Sequence, residues 1–125
     1  MSNLQSGTWL NPPVSIEIIE EGLLVTTALE SDFWRETSYG FVHDTGHALL
    51  NDFPQESSIE LSWILDYDQQ FDQAGLFIYS DEKNWIKTGI EFADGAPQLG
   101  AVVTIGKSDW SVAPVPEWMG KEVHL

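Results

Sequence analysis

AGLFIYSDEKNWIKTGIEF, residues Ala74–Phe92, is the stretch on which the fold turns. Two β-patterned runs, Gly75–Ser80 and Trp85–Phe92, flank the polar loop Asp81–Asn84 and read as a hairpin in the middle of a sheet. Strand side chains alternate, so Ile86, Ile90 and Phe92 point one way while Trp85, Lys87, Gly89 and Glu91 point the other. The first face is apolar and reads as core. The second carries an indole, an ammonium and a carboxylate in a row, which is more chemistry than a solvated strand needs.

Working downstream, Asp94-Gly95 is the strongest tight-turn signal, because a type I′ turn needs positive φ at both central residues. It joins Phe92 to a strand over Leu99–Ile105. A turn at Lys107–Asp109 precedes Trp110–Val112, Pro114 and Pro116 make an extended crossing, and Lys121–Leu125 begins another strand. Upstream, Ser58–Tyr67 is the longest clean alternation, with Ile59, Leu61, Trp63 and Leu65 on one side. Val14–Ile19 and Leu23–Ala28 flank Glu20-Glu21-Gly22 as a first hairpin, and Phe33–Tyr39 is a strand. His43-Asp44-Thr45-Gly46 is turn chemistry before a strand from His47 to Phe53. Pro12 and Pro13 exclude helix from the leading segment Trp9–Pro13. Seven to nine short strands with regular turns predict an all-β, two-sheet antiparallel sandwich, with a closed barrel as the alternative. At 125 residues the chain is expected to be one domain, 1–125. Ile59, Leu61, Trp63, Leu65, Leu76, Ile78, Ile86, Ile90 and Phe92 are expected between its layers.

Composition narrows the function. Six Trp, six Phe and three Tyr suit pleated, half-buried surfaces. Twenty Asp and Glu against five Lys and Arg give a formal net charge of −15. That balance argues against nucleic acid and against an anionic membrane surface, both of which need clustered cations. Without cysteine there is no disulfide, thiolate nucleophile or zinc–sulfur site. The N-terminal residues MSNLQSGTWLNPP lack the pattern of a signal peptide, and no apolar run is long enough for a membrane span. The expected setting is cytoplasmic.

The central hairpin, with WLNPP upstream, SDFWRETSYGFVHDTGHAL between them and WSVAPVPEW downstream, resembles the "regulation of enolase protein" family. This is a family of unknown function in the concanavalin A-like lectin/glucanase superfamily. The resemblance runs from Trp9 to the C-terminus. It implies a jelly-roll sandwich with one concave, ligand-accessible face, and a carbohydrate connection through related domains appended to glycosidases. The family pattern continues for several strands beyond Leu125. A jelly roll lacking its last strands would expose ladder groups, so the expectation is a homo-oligomer joined through Lys121–Leu125.

No carboxylate pattern E-x-D-x-x-E or E-x-D-x-E occurs. Glu30-Ser31-Asp32 starts like one, but Trp34 and Arg35 follow, so glycoside hydrolysis is disfavoured. His43 and His47 lie four apart across turn-forming Asp44-Thr45-Gly46, without a nucleophile elbow, so a turn is the simpler reading. Asp66, Asp68 and Asp72 offer oxygen ligands for calcium but lack EF-hand register, so an acidic solvated loop is preferred. No cofactor, catalytic residue or metal ligand is assigned. The candidate ligand-binding residues are Trp34, Glu36, Tyr79, Trp85, Lys87 and Glu91. Aromatic platforms around hydrogen-bonding groups suit a glycan or glycan-derived small molecule. The same mixture also describes cross-strand packing with an ordinary Lys87–Glu91 ion pair. The expected function is a non-catalytic glycan-binding module; the alternative is a regulatory domain with a protein partner on the same face. Trp34, Tyr79, Trp85, Lys87 and Glu91 are expected to line one concave surface, with Trp85 accessible as its main platform.

Overall fold

The computed structural model describes residues 6–125. It is all-β apart from a single 3-10 turn, Pro116–Trp118, among those residues. The chain divides into two compact units, one ending at Ser57 and one running from Ser58 to Leu125.

The first unit contains three antiparallel two-stranded ribbons. Strand β1 (Thr8–Leu10) pairs with β6 (Ala48–Leu50), β2 (Ser15–Ile19) with β3 (Gly22–Thr26), and β4 (Phe33–Arg35) with β5 (Val42–Asp44). The first hairpin is where the sequence places it. The strand expected over Phe33–Tyr39 stops at Arg35, because Glu36 turns the backbone into the left-handed region at φ 64°. His43 and Asp44 belong to β5, not to a turn. Beyond Asp44 the ribbon closes with the Thr45 and Gly46 amides both donating to the Asp32 carbonyl at 2.9 Å.

The second unit is built on a four-stranded antiparallel meander. Its strands are β8 (Gln73–Asp81), β9 (Asn84–Ala93), β10 (Ala96–Ile105) and β11 (Lys107–Pro114), in spatial order β11-β10-β9-β8. Asp94 and Gly95 take φ of 54° and 79°, as the β9–β10 turn requires. A separate ribbon pairs β7 (Ser62–Ile64) with β12 (Glu122–His124). Leu65, Ile90 and Val123 form the buried cluster of this unit, with Trp63, Tyr67, Leu99, Trp118 and Met119 packed against it.

Two expectations need correction. The Ser58–Tyr67 alternation yields only a three-residue strand, since only Ser62–Ile64 meets a ladder partner, Glu122–His124, and Ile59 is exposed. Ile78 is 48% exposed although it shares a face with Ile86 and Ile90. Ten-residue strands span about 33 Å, whereas a three-residue ribbon covers about 10 Å, so one end of the apolar face stays open. Lys121–Leu125, the segment expected to join a second copy, has a partner within the chain. It pairs with β7 inside the chain, Leu61 and Leu125 exchange two main-chain hydrogen bonds, and Val123 is core.

Candidate functional site

Cross-strand register builds the polar face of the meander row by row. Tyr79 pairs with Trp85 and Trp85 with Thr104; Phe77 pairs with Lys87, and Lys87 with Val102. Gln73 pairs with Glu91, and Glu91 with Gln98. Between these rows runs Gly75–Gly89–Gly100, three glycines directly opposite one another. A Cβ on Gly75 would sit 2.0 Å from the Thr88 carbonyl oxygen, and one on Gly89 would sit 2.1 Å from that of Ala74. The row therefore carries no side chain of its own: a trough floored by backbone, with Phe77 and Lys87 on one side and Gln73, Glu91 and Gln98 on the other, and with the Lys87 side chain reaching across it to Gln73.

The sharing of this face by Tyr79 and Trp85 depends on a β-bulge. The turn after Asp81 sets Asp81 against Asn84, and the register slips by one residue between there and Tyr79. Without the slip, Tyr79 would lie opposite Ile86 and point to the other face. Phe77 then stacks with Tyr79 at 5.6 Å between ring centroids and meets Trp85 at 5.5 Å.

Trp85 is only 3% exposed, so it is not the open platform that the sequence suggested. It is a packed support, flanked on its face by the buried Val102, Thr104 and Ser108. The Thr104 and Ser108 hydroxyls bond to each other at 2.8 Å. Tyr79, Lys87 and Glu91 are half-buried. The Lys87 ammonium donates to Gln73 Oε1 at 2.8 Å, and Gln98 Nε2 donates to the Ala93 carbonyl at 3.1 Å. Register gives the strands of this face one carboxylate, Glu91, and so no pair for acid–base chemistry of the glycosidase kind.

Trp34 and Glu36 belong to the first unit. Trp34 is 8% exposed; its indole N–H donates to the Thr37 carbonyl at 3.0 Å and its ring meets the edge of Tyr39. It holds a loop and is no open platform either, whereas Glu36 is exposed. His43 and His47 do not act together. His43 packs against Phe41, while the His47 ring bonds the Asn11 carbonyl through Nδ1 and accepts the Ala28 amide at Nε2. Asp72 accepts the Asp68 and Gln69 amides, the work of a turn-forming carboxylate.

Gln73, Gln98 and the glycine row were missed in the sequence, although part of the signal was there. Once Asp94-Gly95 is taken as a two-residue turn, counting back from it sets Gln98 opposite Glu91.

The profile of the family described as "Protein of unknown function (DUF1349)" matches residues 9–125. The chain is 40% identical over 112 residues to "Regulation of enolase protein 1" of Saccharomyces cerevisiae, covering 90% of this chain and 57% of that protein. It is 27% identical over 122 residues to "Uncharacterized protein AN7484" of Emericella nidulans, covering 93% and 60%. A crystal structure of a functionally unknown protein from Saccharomyces cerevisiae superposes with a TM-score of 0.72 at 38% identity, covering 90% of this chain and 60% of that one. The chain thus spans less than two thirds of each of these relatives.

Proposed function

Since the chain belongs to the DUF1349 family of proteins of unknown function, we propose that it is a non-catalytic regulatory module that binds a protein partner, with an enolase as the first candidate. The observation that carries this reading is the 40% identity to the yeast protein named for regulation of enolase. The polar face of the meander supports it, because Tyr79, Lys87, Glu91, Gln73 and Gln98 are half-exposed over a rigid sheet whose indole is already packed. A surface of that kind docks a partner, and it lacks a second carboxylate for hydrolysis. The working setting in this reading is the cytoplasm. Calorimetric titration of purified enolase with the chain tests it. Saturable binding that is lost in Lys87→Glu, with the variant still folded, is expected. Absence of binding, or binding untouched by Lys87→Glu and Glu91→Lys together, overturns it.

A second reading keeps the same face and changes the ligand. The trough over Gly75, Gly89 and Gly100 has an aromatic wall at Phe77 and amide and carboxylate groups along the other side, which suits the flat body and hydroxyl rim of a sugar. In this reading the architecture is a concanavalin A-like jelly roll and the trough lies on its concave sheet. A glycan array separates the two: specific binding that is abolished by Phe77→Ala favours the sugar.

A further inference from the structure

We propose that the Glu36–Phe41 loop of the first unit is a docking surface for a cationic side chain, arginine or lysine, carried by a basic segment of a protein partner. This inference does not rest on the enolase reading, since it concerns another surface and a partner defined by charge.

The loop is built against backbone preference. Glu36, Ser38 and Gly40 all have positive φ, at 64°, 64° and 74°. The Thr37 amide donates to the Arg35 carbonyl and the Tyr39 amide to the Thr37 carbonyl, each at 2.8 Å, so two three-residue turns of the rare positive-φ kind follow one another. A second pair of bonds, Glu36 amide to Phe41 carbonyl and Gly40 amide to Glu36 carbonyl, closes the loop at 2.7 Å. Trp34 then pins its middle through the Thr37 carbonyl. A hairpin needs none of this merely to reverse direction. Strain held so firmly in place is the mark of a presented surface.

What the loop presents is aromatic. Tyr39 and Phe41 stack at 5.1 Å and 13°, and they remain 55% and 43% exposed. His43 meets Phe41 edge-on at 4.5 Å. Exposed rings attract cations through their negative faces, within about 6 Å of the centroid. The surrounding charge selects the same ligand. Arg35 is the one Lys or Arg in residues 1–57, against nine Asp and Glu. It alternates to the other face of the ribbon, where it lies 4.0 Å from Asp44. Negative charge therefore dominates residues 1–57, with Glu36 on the loop itself. That excess repels an anionic partner and favours a cationic one.

The test is an aromatic and amide NMR titration of the whole chain with a capped Gly-Arg-Gly-Arg-Gly peptide, beside its citrulline analogue, which is neutral and nearly isosteric. Shifts should centre on Glu36–His43 with the arginine peptide and vanish with citrulline. Tyr39→Leu keeps the bulk without the π face and should weaken binding about two- to fivefold. Glu36→Gln should weaken it less and flatten its salt dependence, and Lys87→Glu should leave it unchanged. Tyr39→Ala, with its amide spectrum preserved away from the loop, should behave as Tyr39→Leu does. Absence of binding, equal binding of citrulline, shifts spread over acidic residues elsewhere, or full affinity in Tyr39→Leu overturns the proposal.

Discussion

Leu65 and Ile90 have lost essentially all contact with water, and they meet Val123 in one cluster. Truncating either removes transfer energy and leaves a cavity, so Leu65→Ala or Ile90→Ala should cost about 2–5 kcal/mol in urea unfolding. Ile78, half-exposed on the same sheet face, should cost far less under the same change, and an equal loss would mean that the face is covered along its whole length. Tyr67 packs against this cluster and receives the Trp63 indole N–H on its hydroxyl at 3.1 Å. Burial pushes its hydroxyl up to about 12 from 10.0, outweighing the hydrogen bonds that pull it down. The folded form therefore holds the phenolic proton where the unfolded chain has released it. Stability should decline as pH rises from about 10 to about 12, and Tyr67→Phe should flatten that limb of the denaturation curve. Asp81 works in the opposite direction. The Lys83 amide first, and then the Asn84 side chain, hold its carboxyl below the usual range. What it contributes is present above the unfolded value near 3.8 and is lost as pH falls through the lower folded value.

Strand β9 shows how far periodicity reaches and where it fails. Alternation correctly separates Trp85, Lys87, Gly89 and Glu91 from Ile86, Ile90 and Phe92, and the Asp-Gly turn fixes β10 against it. Alternation cannot say which face is covered, because a ten-residue strand has a buried residue on each: Ile90 toward one end and Trp85 toward the other. Nor can it reveal the slip between Tyr79 and Asp81, which decides the face that Tyr79 and Phe77 share with Lys87. The loop after Arg35 was hidden for a related reason. Glu36 and Ser38 are not residues that announce positive φ, and the conformation is held by contacts with Trp34 and Phe41. The glycine row leads to a sharp prediction. Gly89→Val puts branched carbon where the Ala74 carbonyl and Gly75 Cα already lie, and it should destabilise by at least the 1–3 kcal/mol typical of overpacking. An unchanged melting temperature would mean that β8 and β9 can separate there, and the trough would lose its floor.

Strand patterning and aromatic content predicted the all-β class, and the quoted motifs resembled the family; the ligand stayed open, since a formal charge of −15 restricts partners without naming one. The same charge also acts on the folded chain itself. Most of the twenty carboxylates are exposed, and they face only five Lys and Arg, so compaction brings like charges together. Raising ionic strength from about 0.01 M to about 0.15 M shortens the screening length from about 30 Å to about 8 Å, which weakens that repulsion more than it weakens short ion pairs. The melting temperature in sodium chloride should therefore rise steeply over this range and level off above it. Sulfate stabilises proteins by exclusion as well as by screening, so a chloride series matched to sulfate in ionic strength isolates the electrostatic part. Coinciding curves in the low range, with sulfate pulling ahead only at high concentration, would assign the rise to screening. A melting temperature that is flat or falling with chloride would mean that attractive pairs such as Arg35–Asp44 outweigh the surplus of carboxylates, and net repulsion would then play no part in the chain's stability.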